Sequence, residues 1–214
     1  MNKKPNKRIL SIDVLYKTGS TGKLVHEIHK RLSEHYGNEF ESFVAYGRGK
    51  KISERNILKT SFDIETMIHV ILNRITGLHG VYSYFSTLRL IKYIKKIQPD
   101  VVHLHELHGY FVNINMLLKY IKSRKIPIVW TFHCEYMYTG KGHVYSKEEL
   151  PNWNRKLEYP KSLFFDFTDV IVKKYQKFFL EYDKIKITYP SSWVESRLEN
   201  TVLNKLNKRV IPNF

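Results

Sequence analysis

A single cysteine, Cys134, stands among 214 residues. An intrachain disulfide is thereby excluded, and a reducing compartment is favoured. No run of about 18 consecutive apolar residues occurs, so no membrane-spanning helix is expected. The start, MNKKPNKRILSIDVLY, is basic and then apolar, but Asp13 cuts the run short and no small-residue cleavage site follows, which argues against a secretory signal. There is no internal repeat, low-complexity tract or linker. Acidic residues are scarce: 20 Asp and Glu face 36 Lys and Arg, for a formal net charge of +16. Such a field attracts polyanions, and nucleic acid, an anionic membrane surface or phosphorylated small molecules all fit it. The plain reading beside these is a lysine-rich solvated surface.

What is present suits a globular domain. Apolar residues make up 43% and charged residues 26%, and the length suffices for a real core. The apolar run KRILSIDV at 7–14 reads as a buried strand. A glycine-containing turn follows, in which Ser20 or Thr21 is placed to cap a helix carrying Leu24, Val25, Ile28 and Leu32 on one face. FESFVAY at 40–46 alternates as a second strand and runs into the basic loop Arg48-Gly-Lys-Lys51. Helical spacing recurs over 62–76, at Ile64, Ile68, Ile71, Leu72 and Ile75. It recurs again over 86–97, with Leu88, Ile91 and Ile94 expected inward. Further strands are predicted at 101–105, 126–132, 184–190 and 207–212, and further helices at 112–124, 162–182 and from Ser191 or Ser192 to about residue 200. Residues 134–160 read as a long irregular segment, a length usually tied to function or disorder. This alternation predicts an α/β fold, a Rossmann-like parallel sheet with helices on both faces. Ligands in such sheets sit beyond the carboxyl ends of the strands, here the loops starting at Leu15, Tyr46, His105, His133 and Pro190.

Three constellations fall on those loops. Gly19-Ser-Thr-Gly-Lys23 is neither a Walker A loop, since Lys17 and Leu24 stand where Gly and Ser or Thr are needed, nor a dinucleotide fingerprint, since it offers only G-x-x-G. Small residues at a helix start nonetheless expose N–H groups suited to a phosphate, and Lys23 adds charge; the plain alternative is a strand-to-helix turn. His103-Leu-His105-Glu-Leu-His108 hints at zinc, but the metallo-hydrolase pattern needs Asp where Leu107 stands. His103 then reads as a packed strand residue, with His105, Glu106 and His108 at the strand's polar end. His133 closes the strand IPIVWTF and is expected to face the cleft or to be a satisfied core histidine. Cys134 beside it does not make a Cys–His nucleophile, because neighbours on an extended segment point opposite ways. Lysine-rich helix stretches at 92–96, 119–125 and 173–177 read as solvated faces, and the aromatics and isoleucines among them suit one face to an anionic membrane surface.

The pieces GSTGK, VAYGRG, IQPDVVHLHELHGYFVN, IPIVWTFHCEYMYTGKG, EYPKS, ITYPSSWVESRL and KRVIPNF, in this order, resemble the N-terminal domain of bacterial family 4 GT-B glycosyltransferases of capsule, exopolysaccharide or lipopolysaccharide synthesis. The resemblance runs over essentially the whole chain. It implies one half of a GT-B fold, with 1–214 as a single acceptor-side domain. It also implies sugar transfer from a nucleotide-sugar donor to a saccharide or polyprenyl-pyrophosphate-linked acceptor, a metal-independent reaction with no cofactor beyond that donor. By position it assigns His133 to the donor sugar, as the catalytic residue. Gly19, Ser20, Thr21, Gly22, Lys23, Arg48, His105, Glu106, Ser191 and Ser192 are assigned to donor or acceptor binding. Relatives carry extra cysteines in the 134–160 segment that are missing here. They also have a glycine where Phe214 stands and a donor domain beyond, so the chain alone is expected to be inactive. A cytoplasmic place is expected, peripheral on the inner membrane face, and no nucleic-acid partner. The rival readings are a non-catalytic basic module on an anionic membrane or nucleic acid, and a zinc hydrolase.

Overall fold

A computed structural model describes residues 6–140, 162–196, 198 and 201–213. Most of the irregular segment expected at 134–160, the end of the helix expected to reach residue 200, and Phe214 lie outside the described residues. Seven strands form one sheet: β1 (Lys7–Asp13), β2 (Phe40–Tyr46), β3 (Ile57–Lys59), β4 (Val101–Leu104), β5 (Ile128–Thr131), β6 (Ile185–Tyr189) and β7 (Lys208–Val210). The order is β3-β2-β1-β4-β5-β6-β7 and every pairing is parallel. The chain winds outward from β1 to β3, then returns to β4 on the other side of β1. The gap between β1 and β4 is thus the switch point of a Rossmann-like sheet, where the strand tips open a crevice. Strand β3, three residues long, is too short to show an alternating pattern and was not expected.

Period-two alternation divides the core. Leu10, Ile12, Phe43, Ala45, Val102, Leu104, Ile128 and Trp130 face one side, beneath helices α3 (Tyr84–Ile97), α4 (Ile114–Ser123) and α6 (Thr168–Glu181). Val44 and Tyr46 face the other side and pack with Tyr16 and Val25 of α1 (Ser20–His35). No described helix is long and apolar enough to cross a membrane.

Several expectations need correction. Helix α1 is capped by neither Ser20 nor Thr21: its cap is Gly19, at φ 68, without a side-chain bond. A left-handed cap suits glycine, and the Thr21 hydroxyl bonds to Asp13 instead. The helix expected at 162–182 begins only at Thr168, because residues 163–167 bond to the end of α2 (Asp63–Thr76) through Leu163 N–H to Arg74 O and Phe165 N–H to Ile75 O. The helix expected after Ser191 is described over Ser192–Ser196 as α7. Ahead of both, Tyr136–Thr139 form a single turn, α5. Leu88 is 39% exposed, and Leu90 takes the inward place beside Ile91 and Ile94.

Gly109 ties two of the tip loops together. Its φ is +127, and a Cβ there would lie 2.3 Å from Val14 Cγ2 in the loop after β1. Gly109→Ala is therefore expected to cost about 2 kcal/mol or more, from backbone strain and overpacking together. The urea midpoint of the variant measures it, and an unchanged midpoint would show that the two loops are loose.

Candidate active site at the strand tips

Asp13 ends β1 on the face that also carries Ser11, opposite His103 of β4. It is fully buried. Its Oδ1 accepts the Glu106 N–H at 3.0 Å across the switch point, and the Thr21 hydroxyl bonds the same carboxyl. Gly22 can sit against this corner only because it lacks a side chain: a Cβ would lie 3.0 Å from Leu15 C. Burial raises the Asp13 carboxyl to about 7, with the charge of Glu106 adding to the rise and its hydrogen bonds opposing it. One carboxyl thus holds the glycine loop and the β4 tip in one frame.

The β4 and β5 tips bring a histidine column to this frame. His103 and His105 share a strand face, ring centroids 4.0 Å apart. His103 Nε2 bonds Thr131 Oγ1 at 2.8 Å, and Thr131 Oγ1 bonds Thr188 Oγ1 at 2.7 Å, so His103 is a satisfied strand residue. His105 is buried; its Nδ1 lies 3.2 Å from His133 Nε2 and the two rings stack. The indole of Trp130 donates to His105 O at 3.0 Å and fixes the tip. The buried His105 Nε2 has no protein partner. A bare lone pair there costs less than an unmet N–H, which assigns the proton to Nδ1. His105 then donates to His133, whose own Nδ1–H is left to point at a ligand. Burial lowers the pKa of His133, lowers His103 to about 4 and lowers His105 well below the ordinary histidine value, so at neutral pH the column is uncharged.

Glu106 faces the other way. Its Oε2 lies 2.5 Å from His108 Nδ1 and 3.1 Å from Cys134 Sγ. Burial pushes Glu106 up, but the His108 bond and charge outweigh it and its pKa is lowered; the same pairing raises His108 against its own burial. Burial first, then the Glu106 charge, drives the Cys134 thiol well above its usual value. The thiol turns to Glu106 and not to His133, in keeping with the expected opposed directions, and a protonated thiol is no nucleophile. Glu106, His108 and Cys134 present ligand atoms within 4.8 Å of one another.

The structure places the turn Gly19-Ser20-Thr21-Gly22-Lys23 after β1, His105 and Glu106 after β4 and His133 after β5, all at the carboxyl end of the sheet, and joins Asp13 to Glu106 and His105 to His133. Arg48 joins them at that end, with its N–H donating to Val14 O at 2.7 Å. Ser191 and Ser192 follow β6, one strand beyond β5, and Ser192 lines a separate hollow with Glu195, Asn204 and Lys208. Two participants went unrecognised in the sequence, Asp13 and the thiol of Cys134. An aspartate inside an otherwise apolar strand was the readable sign of the first, since a carboxyl there needs partners.

A doubly wound parallel sheet with its polar groups gathered at the central switch point defines a Rossmann-like domain. The chain belongs to Glycosyltransferase Family 4, which it matches over residues 21–214. It is 26% identical over 145 residues to WcaC of Escherichia coli (strain K12), a protein named for glycosyl transfer in colanic acid biosynthesis. That match covers 62% of this chain and 35% of WcaC, so the chain spans about a third of that relative. A UDP-glucosyltransferase from Polygonum tinctorium capable of glucosylating indoxyl aligns at TM-score 0.47 and 12% identity, over 97% of this chain and 52% of its own. A UDP-GlcNAc 2-epimerase from Neisseria meningitidis aligns at TM-score 0.36 and 10% identity, over 96% and 72%.

Proposed function

We propose that this chain is the acceptor-side half of an enzyme that transfers a sugar from a nucleotide-sugar donor to a saccharide or lipid-linked acceptor in cell-surface polysaccharide synthesis. The observation that carries this reading is the continuous path Thr21–Asp13–Glu106 and His105–His133, which draws three loops into one crevice at the switch point. Family membership gives the reaction class.

In this reading the exposed N–H groups at the start of α1 and the Lys23 and Arg48 charges receive phosphate oxygens. The neutral His133 donates a hydrogen bond to the donor sugar as it gains oxocarbenium character and the diphosphate leaves. His105, Trp130 and Asp13 position that donor without touching the sugar. The main diphosphate clamp lies outside this chain, so the chain alone transfers no sugar and the whole protein does. The test is transfer from a panel of nucleotide sugars by the whole protein, with this chain alone alongside; no donor turned over by the whole protein would overturn the reading.

The Glu106–His108–Cys134 set is the observation that favours a zinc-hydrolase alternative. Against it, Glu106 already bonds both His108 and Cys134, so the three side chains satisfy one another without an ion. Metal-free function is expected: elemental analysis of the purified protein finds no stoichiometric zinc, and added zinc leaves transfer unchanged. One zinc per chain, lost on Cys134→Ser, would favour the alternative.

A further inference from the structure

Helix α2 is inverted relative to an ordinary surface helix. Thr66, His69 and Asn73 form its buried face, with His69 bonded to Ser83 Oγ at 2.7 Å and accepting Gly80 N–H at 3.1 Å. Its outward face is apolar: Ile64 is 71%, Met67 66%, Ile68 50% and Ile71 58% exposed. This face does not end with the helix. At its carboxyl end, segment 163–167 lies alongside through backbone bonds and exposes Leu163, Phe164 and Phe165. At its amino end, Glu65 accepts the N–H groups of Phe85 and Ser86, which brings the exposed Tyr84 and Phe85 beside it.

Tyr84 opens onto a groove between α4 and α6. It lines the upper end with Asn113, Lys119 and Lys174. The groove continues past Lys122 and Lys177 to Glu181, a cavity of about 400 Å³. Four ammonium groups line it and meet one carboxylate: Glu181 lies 2.7 Å from Lys122 and 3.7 Å from Lys177. The other acids along the belt are engaged, Asp63 with Lys59, Glu65 with the start of α3 and Asp166 with Thr168, apart from the exposed Asp169.

We propose that this belt docks on an anionic lipid bilayer. The side chains of α2, the start of α3 and segment 163–167 enter the boundary between headgroups and acyl chains, and the groove lysines take lipid phosphates. An apolar helix face of this size flanked by excess lysine matches both halves of such a surface. The net charge of +16 gives the matching long-range attraction. Of the three lysine-rich stretches, those on α4 and α6 then serve the bilayer. At the far end of α3, Lys95 lies over the Tyr120 ring, which Arg124 also approaches, beyond the groove. Beyond docking, and resting on the transfer reading, the acceptor enters from the bilayer and is lipid-linked.

The test is flotation of the chain with vesicles of phosphatidylcholine alone or mixed with phosphatidylglycerol, at low and high salt. Binding is expected only to the mixed vesicles and is expected to weaken with salt. Ile68→Asp with Ile71→Asp is expected to abolish it, and Lys174→Gln with Lys177→Gln to lower the partition coefficient by about 30-fold. All four positions are exposed, so both pairs should melt like the parent chain. No binding to mixed vesicles, equal binding to both kinds, or binding untouched by both pairs would overturn the proposal. So would a dimer by light scattering that Ile68→Asp with Ile71→Asp converts to monomer, since a second copy would then cover the face. Vesicle binding without transfer by the whole protein would sink the transfer reading alone, and transfer to a water-soluble acceptor without vesicle binding would sink the docking proposal alone.

Discussion

His133→Ala lowers kcat/KM for sugar transfer by the whole protein by about 100-fold or more, the usual cost of removing one donor aimed at transition-state charge. The expectation follows from three features. His133 lies two residues beyond β5 and is half-buried, so its loss leaves the fold largely intact. Its Nε2 is occupied by His105 at 3.2 Å, which leaves Nδ1 as the nitrogen available to a ligand. Its pKa is lowered by burial, so it works as a neutral donor at pH 7 and its contribution does not vary between about pH 7 and 8. The loss should appear chiefly in kcat, because the charge it meets develops during the reaction. Unchanged kinetics in the variant would remove His133 from the mechanism and leave the histidine column a packing feature.

The second large effect is on stability in mild acid. His69 is lowered to about 4, His103 to about 4, and His79 and His105 well below the ordinary value, burial being the main cause in each. The unfolded chain takes up these protons near pH 6.5, whereas the folded chain refuses them. Below that pH the unfolded state therefore binds more protons, and stability falls as pH falls. Asp13 acts in the opposite sense: its folded value of about 7 lies above its unfolded 3.8, so it loses stability as pH rises between them. His29 and His133, also lowered by burial, add to these four, while His108, raised by Glu106, joins Asp13 in opposing them; the net loss is roughly 3 kcal/mol between pH 6.5 and 5.5, a large share of the stability of a domain. Urea midpoints at pH 7.5, 6.5 and 5.5 should be level across the first step and drop sharply across the second. A midpoint that stays flat to pH 5.5 would mean that these imidazoles ionise freely inside the fold.

Where a segment's burial follows its own pattern, the structure was legible in advance. IPIVWTF reads as a strand covered on both faces, and Ile128 and Trp130 are buried on one face and Thr131 on the other. The parallel sheet followed from the order of elements, whereas the switch point between β1 and β4 is set by the strand order. Pattern could not report direction for α2: its isoleucines recur at helical spacing whichever way they face, and the buried side was decided by polar partners beyond the helix, the Ser83 hydroxyl and the Gly80 N–H that donates to His69. Asp13 was visible as an oddity, but its partners Thr21 and Glu106 become neighbours only when β4 pairs with β1. Ser191 and Ser192 are assigned by the resemblance alone, and the sheet order sets them after β6, one strand beyond β5. Segment 163–167 looked helical because its aromatics continue into α6, whereas its backbone hydrogen bonds go to Arg74, Ile75 and Thr76.

The inverted helix reverses the customary rule for engineering. Replacing Ile64, Met67 or Ile71 with polar residues should barely disturb the fold, since surface exchanges away from special contacts usually stay within about 0.5 kcal/mol. Trimming the hydrophilic His69 would instead leave Ser83 and the Gly80 amide without their partner in the interior. A programme that sought better solubility by repainting greasy positions would keep a well-folded product, and would strip from it the very side chains whose retention folding cannot explain.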